Sequence, residues 1–332
     1  MELKKDRLLE ALALLREGSD VALPLPADDG GEPAFRLWDG VQEPFLGSNT
    51  SLPPKELLFP RSEGMYGYNL KTGELSDILP EARTAVFGIR PCDVKSIENL
   101  DHAFLEKGYV DSYYRARRDG LTTIALGCSE AARTCFCDSM GVAPGDAPGA
   151  DLMMNDLGDA YSVKANTEKG EAVAKLWEGL LSKGGAKAPA APACGFSVKA
   201  DDSLPDRLTA RFDDPMWDSL SKACIGCGCC SFICPTCYCF DIGRENRGAC
   251  GTAFRCWDSC MFSDYSRMAG GHNPRPSKKE RLRNRYLHKL AYFSQRYGAT
   301  LCVGCGRCID KCPANLDITR VMDMMEGVDA NG

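Results

Sequence analysis

The sequence has few histidines, no long apolar run and no large excess of charge of either sign. Its three histidines, His102, His272 and His288, are too scattered for a histidine-based metal site, and we expect each to be a surface or packing residue. No apolar run reaches the ~18 residues that a membrane helix needs. A net charge of −6 argues against general nucleic-acid binding. We therefore expect neither a membrane segment nor a nucleic-acid partner.

Signals for targeting and for nucleotide binding are also missing. The first residues, MELKKDRLLEALALLREG, carry charges throughout and lack the apolar centre of a signal peptide. No GxGxxG follows a predicted strand and no Walker loop is present, so we expect no nucleotide site in this chain. Nineteen cysteines with metal-ligand spacing point to a reducing compartment rather than to disulfides. The expectation is a soluble, cytoplasmic protein.

Two similar cysteine motifs dominate the second half of the chain. In each motif four cysteines are separated by two, two and three residues, and a proline follows the last. This spacing is typical of cubane iron–sulfur sites, and in two-cluster ferredoxins the fourth cysteine of each run ligates the other cluster. We predict two [4Fe–4S] clusters, the first on Cys224, Cys227, Cys230 and Cys312, and the second on Cys302, Cys305, Cys308 and Cys234.

The glycines within these motifs agree with this assignment. Gly226, Gly228, Gly304 and Gly306 allow the backbone to approach the cluster and to donate N–H bonds to sulfur. A pair of zinc ribbons is the alternative, because C-x2-C also forms zinc knuckles. Zinc requires two pairs of ligands rather than two sets of four that each end in Cys-Pro, so the iron–sulfur interpretation is favoured.

Two short apolar runs in the first half, Thr84–Ile89 and Thr122–Leu126, are typical of buried parallel strands. A helix is predicted between them at Val94–Phe104. Cysteines follow both runs, and ligands gather outside the carboxyl ends of parallel strands. We predict a third [4Fe–4S] site here, with zinc as the rival metal and buried structural thiols as the alternative, on Cys92, Cys128, Cys135 and Cys137.

The remaining pattern predicts two domains of different class. Residues 1–200 are expected to form an α/β domain that begins with a helix at 2–17, continues with short strands near 21–25 and 35–38, and contains a later helix near 171–181. The segment 184–195 has the composition of a low-complexity connector. Residues 201–332 are expected to form a mainly helical two-cluster ferredoxin-like domain with an inserted segment, 236–298.

The inserted segment contains five more cysteines and a basic stretch. The cysteines could line the clusters or ligate a further metal, and no four of them have a familiar spacing. The basic stretch predicts a helix from about Ser277 to Tyr297, and a solvated face is its simplest interpretation. Alternatively its cations lie near the clusters, where they could offset cluster charge or dock an acidic redox partner. The extra cysteines are Cys237, Cys239, Cys250, Cys256 and Cys260.

Several longer motifs resemble a family of iron–sulfur electron-transfer subunits. These are CPTCYCF, WDSC and HNPRP around and after the first motif, with FPRSEGMYGY, GIRPCDVKSIENLD and CSEAARTCFCDSMG before it. The family includes the beta subunit of sulfhydrogenases and the iron–sulfur electron-transfer subunit of anaerobic sulfite reductase, and related subunits occur in flavin modules of heterodisulfide reductases. The resemblance covers most of residues 55–318, whereas the first 50 residues and 184–195 do not contribute.

The resemblance implies a non-catalytic relay subunit. Such a subunit passes electrons between a partner that carries FAD or FMN and binds NAD(P)H and a separate catalytic metalloenzyme subunit. A ferredoxin is a further candidate partner. Two alternatives stay open. The N-terminal cysteine-metal site, near Arg90 and Asp93, could itself reduce a sulfur substrate, or the chain could be a non-catalytic cluster-bearing redox sensor.

Overall fold

The computed structural model describes residues 1–27, 30–81, 83–186 and 189–326. Within these residues the chain is a mixed α/β protein. Its strands are β1 (Glu2–Lys4), β2 (Asp20–Leu25), β3 (Ala34–Leu37), β4 (Ser62–Asn69), β5 (Leu75–Asp77), β6 (Thr84–Ile89), β7 (Leu121–Leu126), β8 (Leu152–Asp156), β9 (Ala160–Ala165), β10 (Leu181–Ser182), β11 (Phe240–Arg247) and β12 (Cys250–Trp257). Its α-helices are α1 (Leu8–Arg16), α2 (Pro91–Leu105), α3 (Ser112–Gly120), α4 (Glu168–Leu176), α5 (Leu204–Ala210), α6 (Met216–Lys222), α7 (Cys229–Phe232), α8 (Lys278–Leu287), α9 (Phe293–Tyr297), α10 (Arg307–Asp310) and α11 (Thr319–Met325).

The described residues form two compact units that interleave along the sequence. The first unit comprises Met1–Leu58, Pro80–Phe196 and the short segment Val303–Cys305. The second comprises Phe59–Leu79, Ser197–Cys302 and the described residues from Gly306 onward. The division into domains 1–200 and 201–332 stays a prediction about folding domains, because the compact units are not contiguous in sequence.

The first unit is built on an eight-stranded sheet with the order β10-β1-β9-β8-β7-β6-β2-β3. The strands β2, β6, β7 and β8 are parallel neighbours, and the outer pairings are antiparallel. The central strands are mainly apolar and almost completely buried because both faces of the sheet are covered. Leu23, Phe87, Ile124 and Leu152 lie in the main core with Trp177, whose indole N–H donates to the Ala11 carbonyl at 2.8 Å.

The apolar runs predicted the central strands and the helix between them, whereas the flanking segments differ from expectation. The predicted helix at 2–17 was wrong at its start, since Glu2–Lys4 pairs with β9 and the α-helix begins at Leu8. The polar segment before β7 forms α3, whose N-cap Asp111 accepts a hydrogen bond from Tyr114 N–H. Helix α4 ends at Leu176, earlier than predicted, and Leu181–Ser182 forms an edge strand.

The second unit combines short helices with a four-stranded antiparallel sheet, β11-β12-β4-β5. Residues Ser62–Asn69 and Leu75–Asp77 supply two of its strands, although they precede the rest of the unit by more than a hundred residues. Arg255 and Glu63 are direct cross-strand partners that form a buried ion pair, and the guanidinium lies against the Phe59 and Phe240 rings. Sequence patterning favoured a mainly helical unit and missed this sheet.

The basic stretch of the second unit forms a helix that changes its winding in the middle. Ser277 and Glu280 form a capping box at its start. After α8 the backbone follows a π-helix over His288–Tyr292 and returns to α-helix in α9. Such π-helical turns are frequent at functional sites because they re-aim the side chains that follow. Here the π-turn contains the buried Lys289.

No helix in the described part of the chain is both long enough and apolar enough to cross a membrane.

Candidate metal centres

One cavity of the second unit collects the four cysteines predicted to ligate the first cluster. Cys224, Cys227, Cys230 and Cys312 all line it, and Cys308 contributes to the same wall. The rest of the lining is mainly apolar and includes Met261, Leu282, Tyr286 and Ile318. The fold therefore brings cysteines from positions 224–230 and 312 to one cavity, an arrangement compatible with the fourth cysteine of one run serving the other run's cluster.

Glycines shape the wall of this cavity. Gly226 and Gly228 have φ of 71° and 76°, a conformation that residues with a Cβ rarely adopt. A Cβ at Gly228 would also lie 2.8 Å from the Phe262 ring. The resulting turn directs the Gly226 N–H to the Cys224 sulfur at 3.4 Å, and Leu316 N–H donates to the Cys312 sulfur at 3.2 Å. Backbone donors to sulfur are what a cluster-binding thiolate requires.

Two buried cations lie among the thiols of the second unit. Arg285 and Lys289 are only 3% and 2% exposed. The Arg285 guanidinium donates to the Cys230 carbonyl at 2.8 Å, and Lys289 donates to the Thr236 hydroxyl at 2.6 Å. Burial alone would lower the pKa of Lys289, but the neighbouring Cys234 and Cys237 sulfurs outweigh it and raise that pKa. Since both cations face sulfur, a wholly solvated face, the simplest interpretation of the helix, was wrong for these two residues.

Three of the predicted ligands of the second cluster, Cys234, Cys302 and Cys308, lie near the buried cations of the second unit. Cys234 and Cys302 both act electrostatically on Lys289, and Cys308 acts on Arg285. A hydrogen bond from Cys237, reinforced by Lys289, lowers the pKa of Cys234 well below its ordinary value despite burial. Cys305 belongs to the short segment of the first unit, where it packs with Cys92 and Cys137.

In the first unit, the predicted thiols lie in one region, and a further cysteine, Cys194, joins them. Burial is the main cause that raises the pKa of Cys135 to about 11, and Cys305, Cys128 and Cys194 act in the same direction. The sulfur of Cys137 lies 3.5 Å from that of Cys194, a residue that sequence reasoning assigned to a connector. Cys92 donates to the Asn49 side-chain oxygen at 3.8 Å, while the amide nitrogen of Asn49 donates to Cys135 at 3.6 Å. The Asn49 amide thus contacts both Cys92 and Cys135.

The extra cysteines of the inserted segment separate into different environments. Cys237 is buried beside Cys234, whereas Cys239 forms a hydrogen-bonded pair with Cys260. Cys250 and Cys256 lie on β12, and Cys250 is exposed. The five residues therefore do not converge on one site.

The cavity of the second unit has features that an anionic cluster requires. Across the described residues, no three His, Cys, Asp or Glu side chains are arranged to chelate one metal ion. A cubane distributes its thiolates over different irons, so its ligands line a cavity without meeting at a point. Thiols, sulfur-directed N–H groups and the buried Arg285 around one cavity fit an anionic cluster of this kind.

Sequence comparison agrees with the geometry. The beta subunit of sulfhydrogenase 2 from Pyrococcus furiosus is 30% identical to this chain over 288 residues, which is 83% of each sequence. The chain belongs to the sulfhydrogenase beta-subunit family. A family model described as a 4Fe-4S dicluster domain matches residues 223–316 of this family member. No solved structure matches the chain.

These matches establish the general role of this sulfhydrogenase beta-subunit relative. It is an iron–sulfur electron-transfer subunit with a dicluster domain for two [4Fe–4S] clusters toward its C-terminus. The matched range contains both cysteine motifs and the helix that bears Arg285 and Lys289. Sequence reasoning located the motif cysteines by spacing. It missed the contact of Cys194 with Cys137, for which the signal was a cysteine within an otherwise Ala/Pro-rich segment.

Proposed function

We propose that this chain relays single electrons between a flavin- and NAD(P)H-binding partner subunit and a catalytic metalloenzyme subunit of hydrogenase, sulfite reductase or heterodisulfide reductase type. A bound [4Fe–4S] cluster supplies the one-electron redox chemistry. The observation that carries the proposal is the cavity lined by Cys224, Cys227, Cys230 and Cys312. Four cysteine ligands leave a cluster no open coordination position, which suits electron transfer, because an open position is what substrate chemistry needs.

The ligand assignment belongs to the proposal. Cys224, Cys227, Cys230 and Cys312 are the proposed ligands of the first cluster, and Cys302, Cys305, Cys308 and Cys234 those of the second. Support for the first set is its common cavity, and support for the second is the shared surroundings of Cys234 and Cys302 at Lys289. Arg285 and Lys289 would offset the negative charge that thiolates and sulfides bring into the protein interior.

A partner that accepts hydride is required by the chemistry. NAD(P)H delivers two electrons at once, and a flavin can pass them on singly. The sequence contains no nucleotide-binding motif, so this step is assigned to a neighbouring flavoprotein. The name of the Pyrococcus relative describes a subunit, which favours assembly with other subunits here as well.

A third cluster in the first unit extends the proposed relay. Cys128, Cys135 and Cys137 interact with one another in that unit, and the Cys135 sulfur lies 3.8 Å from the Cys305 carbonyl oxygen. Cys92 was the fourth ligand predicted from sequence.

A catalytic N-terminal site has less support. Its nearest candidate for substrate binding, Arg90, is buried and donates to the carbonyls of Leu126 and Gly127 after β7 and to those of Leu46 and Gly47. These bonds tie the ends of the strands together and engage the guanidinium with the scaffold rather than with a ligand.

Metal content is the first test. Iron and acid-labile sulfide should be quantified in anaerobically purified protein, together with EPR of the reduced form. We expect about twelve iron atoms per chain. About eight would restrict the relay to the dicluster domain, and an absence of iron would overturn the proposal.

Electron transfer itself is tested with a partner. NADH or NADPH alone should leave the clusters of this chain oxidised. Addition of a flavin subunit of the same complex should reduce them, seen as bleaching of the visible iron–sulfur absorption at a rate at least equal to the turnover rate of the complex. A redox sensor would show no turnover with that flavin subunit, and direct consumption of a sulfur substrate by the isolated chain would favour the catalytic alternative.

A further inference from the structure

The segment that contains Cys194 is fixed to the cysteine loop of the first unit by three separate contacts. Gly195 N–H donates to the Cys135 carbonyl at 3.0 Å. The rings of Phe196 and Phe136 lie 5.4 Å apart, centre to centre. The third contact is the 3.5 Å approach of the Cys194 and Cys137 sulfurs. A stretch whose composition is that of a flexible connector is therefore docked at one position.

Close packing at Gly195 shows that this contact requires a glycine. A Cβ at Gly195 would lie 2.2 Å from the carbonyl oxygen of Arg133. Only glycine lets the backbone approach the 132–135 loop so closely. Cys194 therefore has a defined place in the fold, directly before a residue that cannot be exchanged without moving the loop.

Cys194 and Cys92 differ in how they meet the other thiols. Cys194 is in sulfur-to-sulfur contact with Cys137, and its charge acts on Cys135 as well. Cys92 packs in the same buried group as Cys137, but its thiol donates to Asn49, and it is the Asn49 amide that reaches the Cys135 sulfur. The sulfur of Cys194 therefore contacts the thiol group directly.

The two central thiols of this group lie in the protein interior. Cys135 and Cys137 are only 7% and 6% exposed. A cluster held by them would be shielded from bulk water, and solvent exposure is one of the factors that set cluster potentials.

From this geometry we propose that Cys194 is the fourth thiolate ligand of the third [4Fe–4S] cluster, with Cys128, Cys135 and Cys137, and that Cys92 is a packing residue beside it. The proposal rests on the third cluster put forward above. In this ligand set Cys194, from the segment 184–195, takes the place of Cys92, which follows strand β6. The two backbone bonds that hold this set in place are Cys128 N–H to the Pro144 carbonyl and Gly195 N–H to the Cys135 carbonyl, at 2.9 and 3.0 Å.

A matched pair of variants, Cys194→Ala and Cys92→Ala, tests the assignment. Iron should fall from about twelve to about eight atoms per chain in Cys194→Ala and remain at about twelve in Cys92→Ala. EPR of the two dicluster centres should be unchanged in both variants, which shows that the fold is intact. Full iron in Cys194→Ala, or loss of four irons in Cys92→Ala, would overturn the proposal.

Thiol labelling of the unmodified holoprotein provides a test that does not depend on variant folding. Cys194 is partly accessible, so in the absence of a cluster iodoacetamide should modify it. With iron bound, we expect Cys194 to resist alkylation until the iron is removed by a chelator and oxidant. Modification of Cys194 with all iron retained would show that its sulfur is free.

The outcomes separate the two proposals. If the wild-type protein contains about eight irons, the third cluster itself is absent and the Cys194 assignment fails with it. If it contains about twelve and Cys194→Ala keeps them, only the ligand assignment fails. If the wild-type protein contains about eight irons and one zinc, and Cys194→Ala loses the zinc, the third-cluster proposal is overturned and the site is a zinc site.

Discussion

Single residues set the electrostatics of the second unit, and Lys289 is a buried cation close to predicted ligands of the second cluster. It is buried, it follows the start of the π-turn, and it faces Cys234, Cys237 and Cys302. A fixed positive charge near a cluster stabilises its reduced form, because reduction adds negative charge. The protein thus has a means of raising the potential of the neighbouring centre without changing a ligand.

Replacement of Lys289 by Met should therefore lower the midpoint potential of that centre. We expect a shift on the order of tens of millivolts with iron content unchanged, measured by EPR-monitored redox titration. Lys279→Met on the same helix is the control, since Lys279 lies at the surface and pairs with Asp218. An unchanged potential in fully loaded Lys289→Met would contradict this role.

Cys239 is a second residue with unusual electrostatics. A hydrogen bond from Cys260 lowers its pKa to about 6 against the opposing effect of burial, and Tyr265 adds another donor. The thiolate should therefore react with iodoacetamide with a midpoint near pH 6, and Tyr265→Phe should move that midpoint upward. Because the folded pKa is depressed, this thiolate stabilises the fold above its ordinary pKa of 9.0, and the stabilisation is lost as pH falls toward 6. Mass-spectrometric alkylation rates between pH 5 and 9 provide the measurement, and a midpoint near 9 would show that Cys239 keeps its proton.

At the scale of elements, the antiparallel sheet of the second unit depends on one buried ion pair. The register pairs Arg255 on β12 with Glu63 on β4, and the side chains are 1% and 4% exposed. Removal of one partner leaves an uncompensated charge in the interior, which costs more than the pair contributes. The pair thus fixes which strands meet.

Glu63→Gln should destabilise the protein by about 3–5 kcal/mol, seen as a lower midpoint in anaerobic thermal or denaturant unfolding. Arg247→Ala, which removes the exposed Arg247–Glu245 pair on β11 of the same sheet, should change stability by at most about 0.5 kcal/mol. Equal stability of Glu63→Gln and wild type would mean that the buried pair does not select the register.

Sequence patterning located some elements and missed others for identifiable reasons. The strands β6 and β7 were predictable because a sheet covered on both faces produces unbroken apolar runs. The strand β11 is exposed along most of its length, so Phe240–Arg247 shows no apolar run to signal a strand. The spacing of the motif cysteines is a short-range pattern that can be recognised in the sequence. The contact of Cys194 with Cys137 joins residues 57 positions apart, so it depends on the fold and could not be predicted from spacing.

For the whole molecule, the proposed relay depends on ligands from distant parts of the chain. Cys227 lies in the first motif, while Cys312 of the second motif lines the same cavity. Each cluster would therefore join segments about 70 to 90 residues apart in sequence. Loss of a cluster should loosen the second unit as well as interrupt electron flow.

Cys227→Ala should lose about four irons and lower the unfolding midpoint, because a cluster that binds only the folded state stabilises it. The exposed Cys250 offers a matched control, and Cys250→Ala should retain all iron and wild-type stability. Iron analysis and anaerobic unfolding answer the question together, and unchanged iron in Cys227→Ala would overturn the ligand assignment.

The position of β4 and β5 in the sequence also limits which gene segments can be recombined without disrupting the second unit. The dicluster match covers 223–316, yet two of the four strands in the cluster-binding unit come from residues 62–77. A recombination event that copied only the C-terminal part would leave Arg255 without its carboxylate and β12 with an open edge. Gene fusions that reuse this unit should therefore include both the segment with β4 and β5 and the C-terminal segment with β11 and β12. A protein that has only the C-terminal segment would need other strands to cover β12.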